Sequence, residues 1–174
     1  MIWWLVAIPL APLTAYLVVV CGYLGLVAFG AWRFRPRAAG EETRLRFALL
    51  IPAHNESGQI AAILSDASAV DYPAEDFEVM VIADNCTDDT AEIARQHGAT
   101  VLERNDPEHP GKGQALDWCL RSQREVLEQF DAIALVDADM HIDPAFPREL
   151  ARTLSHPDAQ VVQSLNTVSN PEET

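Results

Sequence analysis

Two patterns of hydrophobic and polar residues divide the chain. Residues 2–32 contain no charged side chain and are rich in Leu, Val, Ala and aromatic residues. An apolar helix of about 20 residues crosses a bilayer, so this stretch is long enough to span a membrane with some tilt. Beyond residue 45, short apolar runs alternate with segments whose apolar residues recur at helical spacing. The pattern predicts one transmembrane helix followed by a folded domain.

The residues that flank the apolar stretch predict its orientation. Arg33, Arg35 and Arg37 follow it directly, and the positive-inside rule places such a flank in the cytoplasm. A cleaved signal peptide is the alternative, but a signal peptide typically has a basic start and a shorter apolar core than this stretch. We therefore predict a protein of the cell membrane whose domain lies on the cytoplasmic side. The expected parts are a transmembrane anchor (1–32), a juxtamembrane linker (33–45) and a domain that is truncated at its C-terminus (46–174).

The domain alternates apolar runs of strand length with amphipathic segments. The runs predict strands over residues 47–51, 79–83, 99–102, 132–136 and 159–163. Helices are expected over 58–70 with Ser57 as N-cap, 88–97, 114–130 and 143–154. Continuous apolar strands that alternate with helices imply a mainly parallel sheet with helices on both faces. The sequence therefore predicts an α/β fold.

Acidic residues follow three of the predicted strands. Glu56 and Asp84 come after the first and second, and Asp137 and Asp139 come after the run 132–136. Parallel sheets bind ligands beyond the carboxyl ends of their strands, so we expect these carboxylates at one edge. An Asp-x-Asp pair offers the oxygen ligands that Mg²⁺ or Mn²⁺ prefers, and such a cation would offset the repulsion between the carboxylates. This edge is therefore a candidate site for a divalent cation that bridges to a diphosphate.

The charge balance limits what the domain binds. The chain has a formal net charge of −14, and the part from Phe47 onward contains 24 acidic and 7 basic residues. A general nucleic-acid-binding surface is therefore not expected, and any phosphate must be held by a few placed groups. Lys112, the one lysine, lies between two glycines ahead of a predicted helix. Lys112 either contacts a phosphate or nucleotide or is a solvated loop lysine. Both roles stay open because the sequence has neither a P-loop nor a GxGxxG motif.

The cysteines and histidines carry weaker signals. Three scattered cysteines indicate no disulfide framework, and the histidines show no metal-ligand spacing. Cys86 is either a nucleophile or, as we favour, a small polar-loop residue. His141, two residues after Asp139, either lines the site or is an ordinary surface histidine.

Four motifs in sequence order resemble those of family 2 glycosyltransferases. They are IPAHNE (51–56), VIADNCTDDT (81–90), Arg104 with GKGQALDW (111–118), and VDADMHIDP (136–144). The resemblance covers about residues 46 to 165. It implies a GT-A fold, which is Rossmann-like, and an inverting enzyme that uses a nucleotide-sugar. Membrane-anchored members of this family include polysaccharide synthases, which agrees with the predicted anchor.

The resemblance also implies roles for single residues. The expected nucleotide-sugar site consists of Ala53, Glu56, Asp84, Arg104, Lys112 and Asp137. Asp84 would accept a hydrogen bond from the uracil ring, and Arg104 and Lys112 would flank the base or the phosphates. Asp137 and Asp139 would form the DxD motif that holds Mg²⁺ or Mn²⁺, with Asp139 as the surer ligand.

The function implied is transfer of a sugar from a UDP-sugar to a glycan or lipid acceptor. In this family the general base lies in a later segment, and neither Glu172 nor Glu173 stands in a matching context. We therefore expect a donor-binding half and assign no catalytic residue. One alternative is a membrane-tethered nucleotide-binding module without activity. Another is a haloacid dehalogenase-type phosphatase, which requires Thr or Val where this chain has His141.

Overall fold

The computed structural model describes residues 3–33, 43–156 and 159–164. The chain forms two compact units, Met1–Ala38 and Ala39–Thr174. Helix α1 (Trp3–Arg33) belongs to the first unit. Its segment Pro12–Arg33 has a mean hydropathy of 2.0 and is, by length and composition, able to cross a membrane.

The second unit is built on a four-stranded parallel sheet. The strands lie in the order β3-β2-β1-β4, so that β1 pairs with a neighbour on each side. The elements are β1 (Phe47–Ala53), α2 (Ile60–Ser68), a 3₁₀ turn (Ala74–Asp76), β2 (Phe77–Asp84), α3 (Thr90–Gln96), β3 (Thr100–Arg104), α4 (Lys112–Ser122), α5 (Arg124–Leu127), β4 (Ala132–Leu135) and α6 (Phe146–Leu154). The predicted parallel α/β fold is confirmed.

Alternate residues of β1 enter two separate hydrophobic clusters. Leu49 and Ile51 lie in the cluster that includes residues of α2, α3 and α6. Leu50, on the opposite face, packs with Ala115 and Cys119 of α4. Helices cover both faces of the sheet, so residues 47–51 of β1 are buried whichever face their side chains point to. This explains why the first predicted strand reads as a continuous apolar run.

The predicted start of α2 is wrong. The helix begins at Ile60, its N-cap position is Gln59, and Ser57 makes no capping hydrogen bond. The carbonyl of Glu56 accepts hydrogen bonds from the N–H groups of Gln59 and Ile60, both at 2.9 Å, which places a turn ahead of the helix. The Ser57 N–H instead donates to Asp88, which lies in another loop. A contact between loops therefore overrides the local capping signal.

The helix predicted over 114–130 is two helices. Helix α4 begins two residues earlier, at Lys112, and ends at Ser122, whereas α5 follows after a turn at Gln123. In one continuous helix Cys119 and Leu127 would lie about 80° apart around the axis. In the structure both are buried in the same cluster. The predicted apolar face is therefore kept across the turn at Gln123, although the helix is not continuous.

The strand predicted over 159–163 is also wrong. Residues 159–164 form no strand, and Val161 is almost fully exposed. A strand requires a neighbour that supplies its backbone hydrogen bonds, and the described residues provide none for this segment. An apolar run indicates that a segment can pair, but the partner decides whether it does.

We predict that Leu50→Ala destabilises the domain far more than Leu135→Ala. The two leucines are register partners on adjacent strands, but Leu50 is 1% exposed and Leu135 is 48% exposed. Removal of a fully buried leucine costs about 2–5 kcal/mol, whereas a half-exposed one costs about 1 kcal/mol or less. Urea denaturation followed by circular dichroism measures both values. Equal losses would contradict the assignment of Leu50 to the core.

Candidate functional site

The order of the strands reverses between β1 and β4. From β1 the chain adds β2 and β3 on one side and then places β4 on the other side of β1. Parallel α/β sheets bind ligands at such a reversal, in the crevice beyond the carboxyl ends of the strands. Ala53 and Asp84 end β1 and β2, and Asp137 lies just beyond β4. The fold therefore collects predicted site residues along one edge of the sheet.

Asp84 and Arg104 form a buried ion pair at this edge. They are register partners on β2 and β3, and Arg104 Nη1 donates to Asp84 Oδ1 over 2.6 Å. Only 6% of the Asp84 side chain and 5% of the Arg104 side chain are exposed. Nη2 of Arg104 also donates to Asp106 at 2.9 Å and to the carbonyl of His109 at 2.8 Å. The guanidinium group is therefore committed to protein groups around Asp84.

Asn85 adds a second contact to Asp84. Its φ of 50° lies in the left-handed region, which Asn tolerates better than most residues. The Asn85 side chain donates to Asp84 Oδ1 at 3.0 Å and accepts from the Asp106 N–H at 2.7 Å. A hydrogen bond from the His109 ring lowers the pKa of Asp106, which keeps that carboxylate charged beside Arg104. One oxygen of Asp84 is thus held by two donors, and its orientation is set.

Lys112 and Asp137 form an ion pair across 25 positions of sequence. Lys112 begins α4, and Asp137 follows β4. Their side chains are 48% and 44% exposed, so both remain open to solvent. The ammonium group compensates the first carboxylate of the DxD motif, a role that the sequence pattern assigned to a divalent cation alone. The one lysine of the domain is therefore part of the edge that carries the acids.

The carboxylates of the DxD motif fit a cation that is shared with a ligand. Asp139 is exposed, and the part of the chain that the structure describes holds no group of three or more His, Cys, Asp or Glu able to bind a metal. Mg²⁺ is commonly bound by one or two carboxylates together with phosphate oxygens of the substrate. Asp137 and Asp139 suit that arrangement, and they do not suit a site made of protein ligands only.

The loop after β1 contacts the loop after β2. Asn55 has a φ of 57°, and its side-chain oxygen accepts from the Thr87 N–H at 2.7 Å. Nδ1 of His54 lies 2.7 Å from the carbonyl oxygen of Asp84. Glu56 follows in the same loop and is partly buried. The two loops that carry Glu56 and Asp84 are therefore hydrogen-bonded to each other.

Asp88 and Thr90 extend this contact, and neither was predicted to have a functional role. The Asp88 carboxylate accepts from the Thr90 hydroxyl at 2.5 Å, the Thr90 N–H at 3.1 Å and the Ser57 N–H at 3.1 Å. The hydroxyl of Thr90 and the donors of Ser57 lower the pKa of Asp88 well below its ordinary value. An Asp two positions before a Thr at a helix start is the sequence signal that could have found them.

Two residues with open roles have ordinary surroundings. Nδ1 of His141 lies 2.8 Å from Asp66 Oδ2 on α2. Cys86 Sγ lies 3.5 Å from the Ala53 carbonyl, and burial raises the pKa of the thiol. A protonated thiol is a poor nucleophile, so the geometry favours the interpretation of Cys86 as a small loop residue.

A groove of about 580 Å³ lies at the opposite end of the sheet. It is lined by the first residues of β2, the end of α3 and the end of α2, and it contains none of the predicted site residues. The acidic edge lies at the strand reversal and carries the paired charges. We therefore assign the candidate site to the carboxyl edge.

The fold defines the class of protein. The chain has the fold of a mannosyltransferase from Pyrobaculum calidifontis, solved in complex with GDP-Man and Mn²⁺. The two share 21% identity with a TM-score of 0.64, and the match covers 81% of this chain and 43% of the other. The domain is therefore a GT-A domain, as the motifs implied.

Sequence comparison gives the family. The sequence model of the family described as Glycosyltransferase like family 2 matches residues 44–174, and the chain belongs to this family. It is 37% identical over 137 residues to a beta-monoglucosyldiacylglycerol synthase of Nostoc sp., and 36% identical over the same length to that of Trichormus variabilis. Each match covers 72% of this chain and 29% of the relative, so the chain spans less than a third of their length. Membership in this family argues against the haloacid dehalogenase alternative.

We predict that Asp88→Asn lowers the melting temperature in a pH-dependent way. A carboxylate whose pKa is lower in the folded than in the unfolded state stabilises the fold above the unfolded pKa, about 4 for Asp, and less as the pH falls below it. The difference from the wild type should therefore be constant from about pH 7 to pH 5 and narrow below about pH 4.

Thermal melts of both proteins from about pH 7 to about pH 3 test this expectation. Asp117→Asn is the matched control, because Asp117 forms an exposed pair with Arg121 on α4. Exposed pairs contribute little to stability, so the control should melt close to the wild type. A difference between Asp88→Asn and the wild type that does not change with pH would contradict the role given to the charge.

Proposed function

We propose that the domain is the donor-binding part of a glycosyltransferase that takes a sugar from a UDP-sugar. The observation that carries the proposal is that Asp84, Asp137 and Lys112 lie along the carboxyl edge of a GT-A sheet. This edge combines a fixed carboxylate, which suits a hydrogen bond from a nucleobase, with an ammonium group, which suits a diphosphate, and an exposed carboxylate, which suits a cation bound to that diphosphate. Family membership supports the same reaction class.

The acceptor proposed is a lipid rather than a free glycan. Two relatives that share more than a third of their aligned residues with this chain are named as synthases of a monoglucosyldiacylglycerol. An acceptor of that kind resides in a membrane, and α1 is long and apolar enough to cross one. These relatives also favour glucose as the transferred sugar. We propose that residues 1–32 anchor the protein in the cell membrane and that the domain lies on the cytoplasmic side.

Three residues are proposed to hold the nucleoside. Asp84 accepts a hydrogen bond from the ring of the base, because its orientation is set by Arg104 and Asn85. Ala53 and Glu56 line the nucleoside from the end of β1 and the loop that follows it. Arg104 was expected to flank the base or the phosphates, but its Nη1 and Nη2 groups donate to Asp84, Asp106 and the His109 carbonyl. We therefore assign Arg104 to the positioning of Asp84.

The diphosphate is proposed to lie between Lys112 and the DxD motif. Lys112 supplies a positive charge beside the phosphate oxygens, and Asp137 and Asp139 hold a divalent cation together with them. When bound, such a cation acts as a Lewis acid that stabilises the departing nucleoside diphosphate. The mannosyltransferase of the same fold was solved with Mn²⁺ and a nucleotide-sugar. No residue of the described chain is assigned as the general base.

We predict that Asp139→Asn abolishes the metal-dependent binding of UDP. The amide carries no charge to hold the cation, so the affinity for UDP in Mn²⁺ should fall at least about tenfold, towards the value in EDTA. Isothermal titration calorimetry with UDP, in Mn²⁺ and then in EDTA, measures this. Asp117→Asn is the control, since it removes an exposed carboxylate from α4. Unchanged affinity of Asp139→Asn would refute its role as a ligand.

We predict that Arg104→Lys weakens UDP binding about tenfold and leaves the affinity for Mn²⁺ alone unchanged. Lysine cannot reproduce the planar set of donors that reaches Asp84, Asp106 and the His109 carbonyl. Asp84 would lose its fixed orientation, and the preference for UDP over GDP should fall with it.

The matched control for this exchange is Arg95→Lys. Arg95 pairs with Glu103 on the surface, and its side chain is 46% exposed. Titration of UDP and GDP into both variants separates the two roles open to Arg104. A variant that retains its preference for UDP while losing affinity for both nucleotides equally would indicate a phosphate contact instead of a positioning role.

A further inference from the structure

Thr90 is a fully buried polar residue that the proposed nucleotide contacts do not use. It begins α3 and has a relative exposure of 0%. A buried hydroxyl is costly unless its hydrogen bonds are satisfied, so its partners indicate what it does. These partners belong to two different loops, and one of them is Glu56, a proposed nucleoside contact.

The hydrogen bonds of Thr90 have a defined direction. Its hydroxyl lies 2.5 Å from Asp88 Oδ1 and 2.8 Å from the backbone N of Glu56. An ionised carboxylate only accepts, so the single hydroxyl proton is donated to Asp88. The Glu56 N–H is then the donor to the hydroxyl oxygen. Thr90 therefore links Asp88 to the backbone of Glu56 through two hydrogen bonds.

Asp88 also binds the backbone of Ser57, the residue that follows Glu56 in the loop after β1. Its Oδ2 accepts from the Ser57 N–H at 3.1 Å, so two consecutive backbone amides are tied to the start of α3. On its other side Glu56 is bound through its carbonyl to the first turn of α2, at Gln59 and Ile60. The backbone at Glu56 is thus fixed in both directions.

The Glu56 side chain is not part of this network. Within the described residues its carboxylate makes no hydrogen bond and no ion pair, whereas its backbone N–H and C=O are both engaged. A fixed backbone with an uncommitted carboxylate is the arrangement expected of a group that is held ready for a ligand.

We propose that Thr90 and Asp88 are positioning residues that hold Glu56 in place for the nucleoside. The inference rests on the proposed function, because it takes Glu56 as a contact to the donor. Neither residue touches the ligand in this scheme, and both act through the backbone of the loop after β1. The loss of either one should therefore reduce nucleotide affinity without changing the affinity for the metal alone.

The test compares Thr90→Val with Thr90→Ser in the full chain. Valine has the size of threonine but no hydroxyl, so the Glu56 N–H loses its acceptor, whereas serine retains it. Titration with UDP in Mn²⁺ should show an affinity about tenfold weaker for Thr90→Val and close to the wild type for Thr90→Ser. Titration with Mn²⁺ alone should give one value for all three proteins.

Thr100→Val is the matched control for the loss of a threonine hydroxyl. Thr100 lies on β3, is exposed and bonds to Glu78, away from the proposed site. Its affinity for UDP should equal that of the wild type. Asp88→Asn keeps the inference testable if Thr90→Val does not fold, because Asp88 is only partly buried and the amide preserves its size. This variant replaces the oxygen that accepts from the Ser57 N–H by an NH2 group, so it should also weaken UDP binding, through the Ser57 contact.

Hydrogen exchange gives a readout of the mechanism itself. The amides of Glu56 and Ser57 should exchange faster in Thr90→Val and at the wild-type rate in Thr90→Ser and Thr100→Val. A folded Thr90→Val that binds UDP as tightly as the wild type would overturn the positioning role while leaving the proposed function intact. A wild type that binds no UDP would overturn the proposed function, and the positioning role would be rejected with it.

Discussion

The pairing of β1 with both of its neighbours is the constraint on which the candidate site depends. β1 pairs with β2 from Phe47–Phe77 to Ala53–Ala83, and with β4 on its other side. Because all strands run in one direction, their carboxyl ends finish along one edge. A shift by one residue would turn every side chain of the shifted strand to the opposite face of the sheet. The hydrophobic clusters thus maintain the alignment that brings the acids together.

Four of the five expected strands form, and these strands and the position of the candidate site could be predicted from the sequence because both follow from patterns within single segments. Five-residue apolar runs such as 47–51 indicate strands that are buried on both faces, and the parallel order then places the following residues at one edge. Features that depend on a second segment were missed or wrong. Residues 159–163 have the composition of a strand but no partner, and Ser57 has the composition of a cap but donates to Asp88.

The partners of the charged residues could not be predicted for the same reason. The sequence shows that Arg104 and Lys112 are near acids along the chain, but Arg104 is bound by Asp84 from the neighbouring strand, and Lys112 by Asp137. The distinction has a functional meaning, because a buried guanidinium that is shared by two carboxylates is fixed, whereas a half-exposed ammonium is able to exchange partners. At this edge the charged side chains of β2 and β3 are thus held in fixed positions, whereas the ion pair beside β4 is able to exchange partners.

β4 has a neighbour on one side only within the described sheet, and its outward residues are apolar. Ile133 and Leu135 are each about half exposed, and both lie on the face that α4 covers over β1 and β2. An open strand edge with apolar side chains is a template for pairing with another chain, and natural proteins protect such edges with charges, bulges or additional structure. The open edge of β4 is therefore the part of the described sheet where pairing with a strand of another chain would begin.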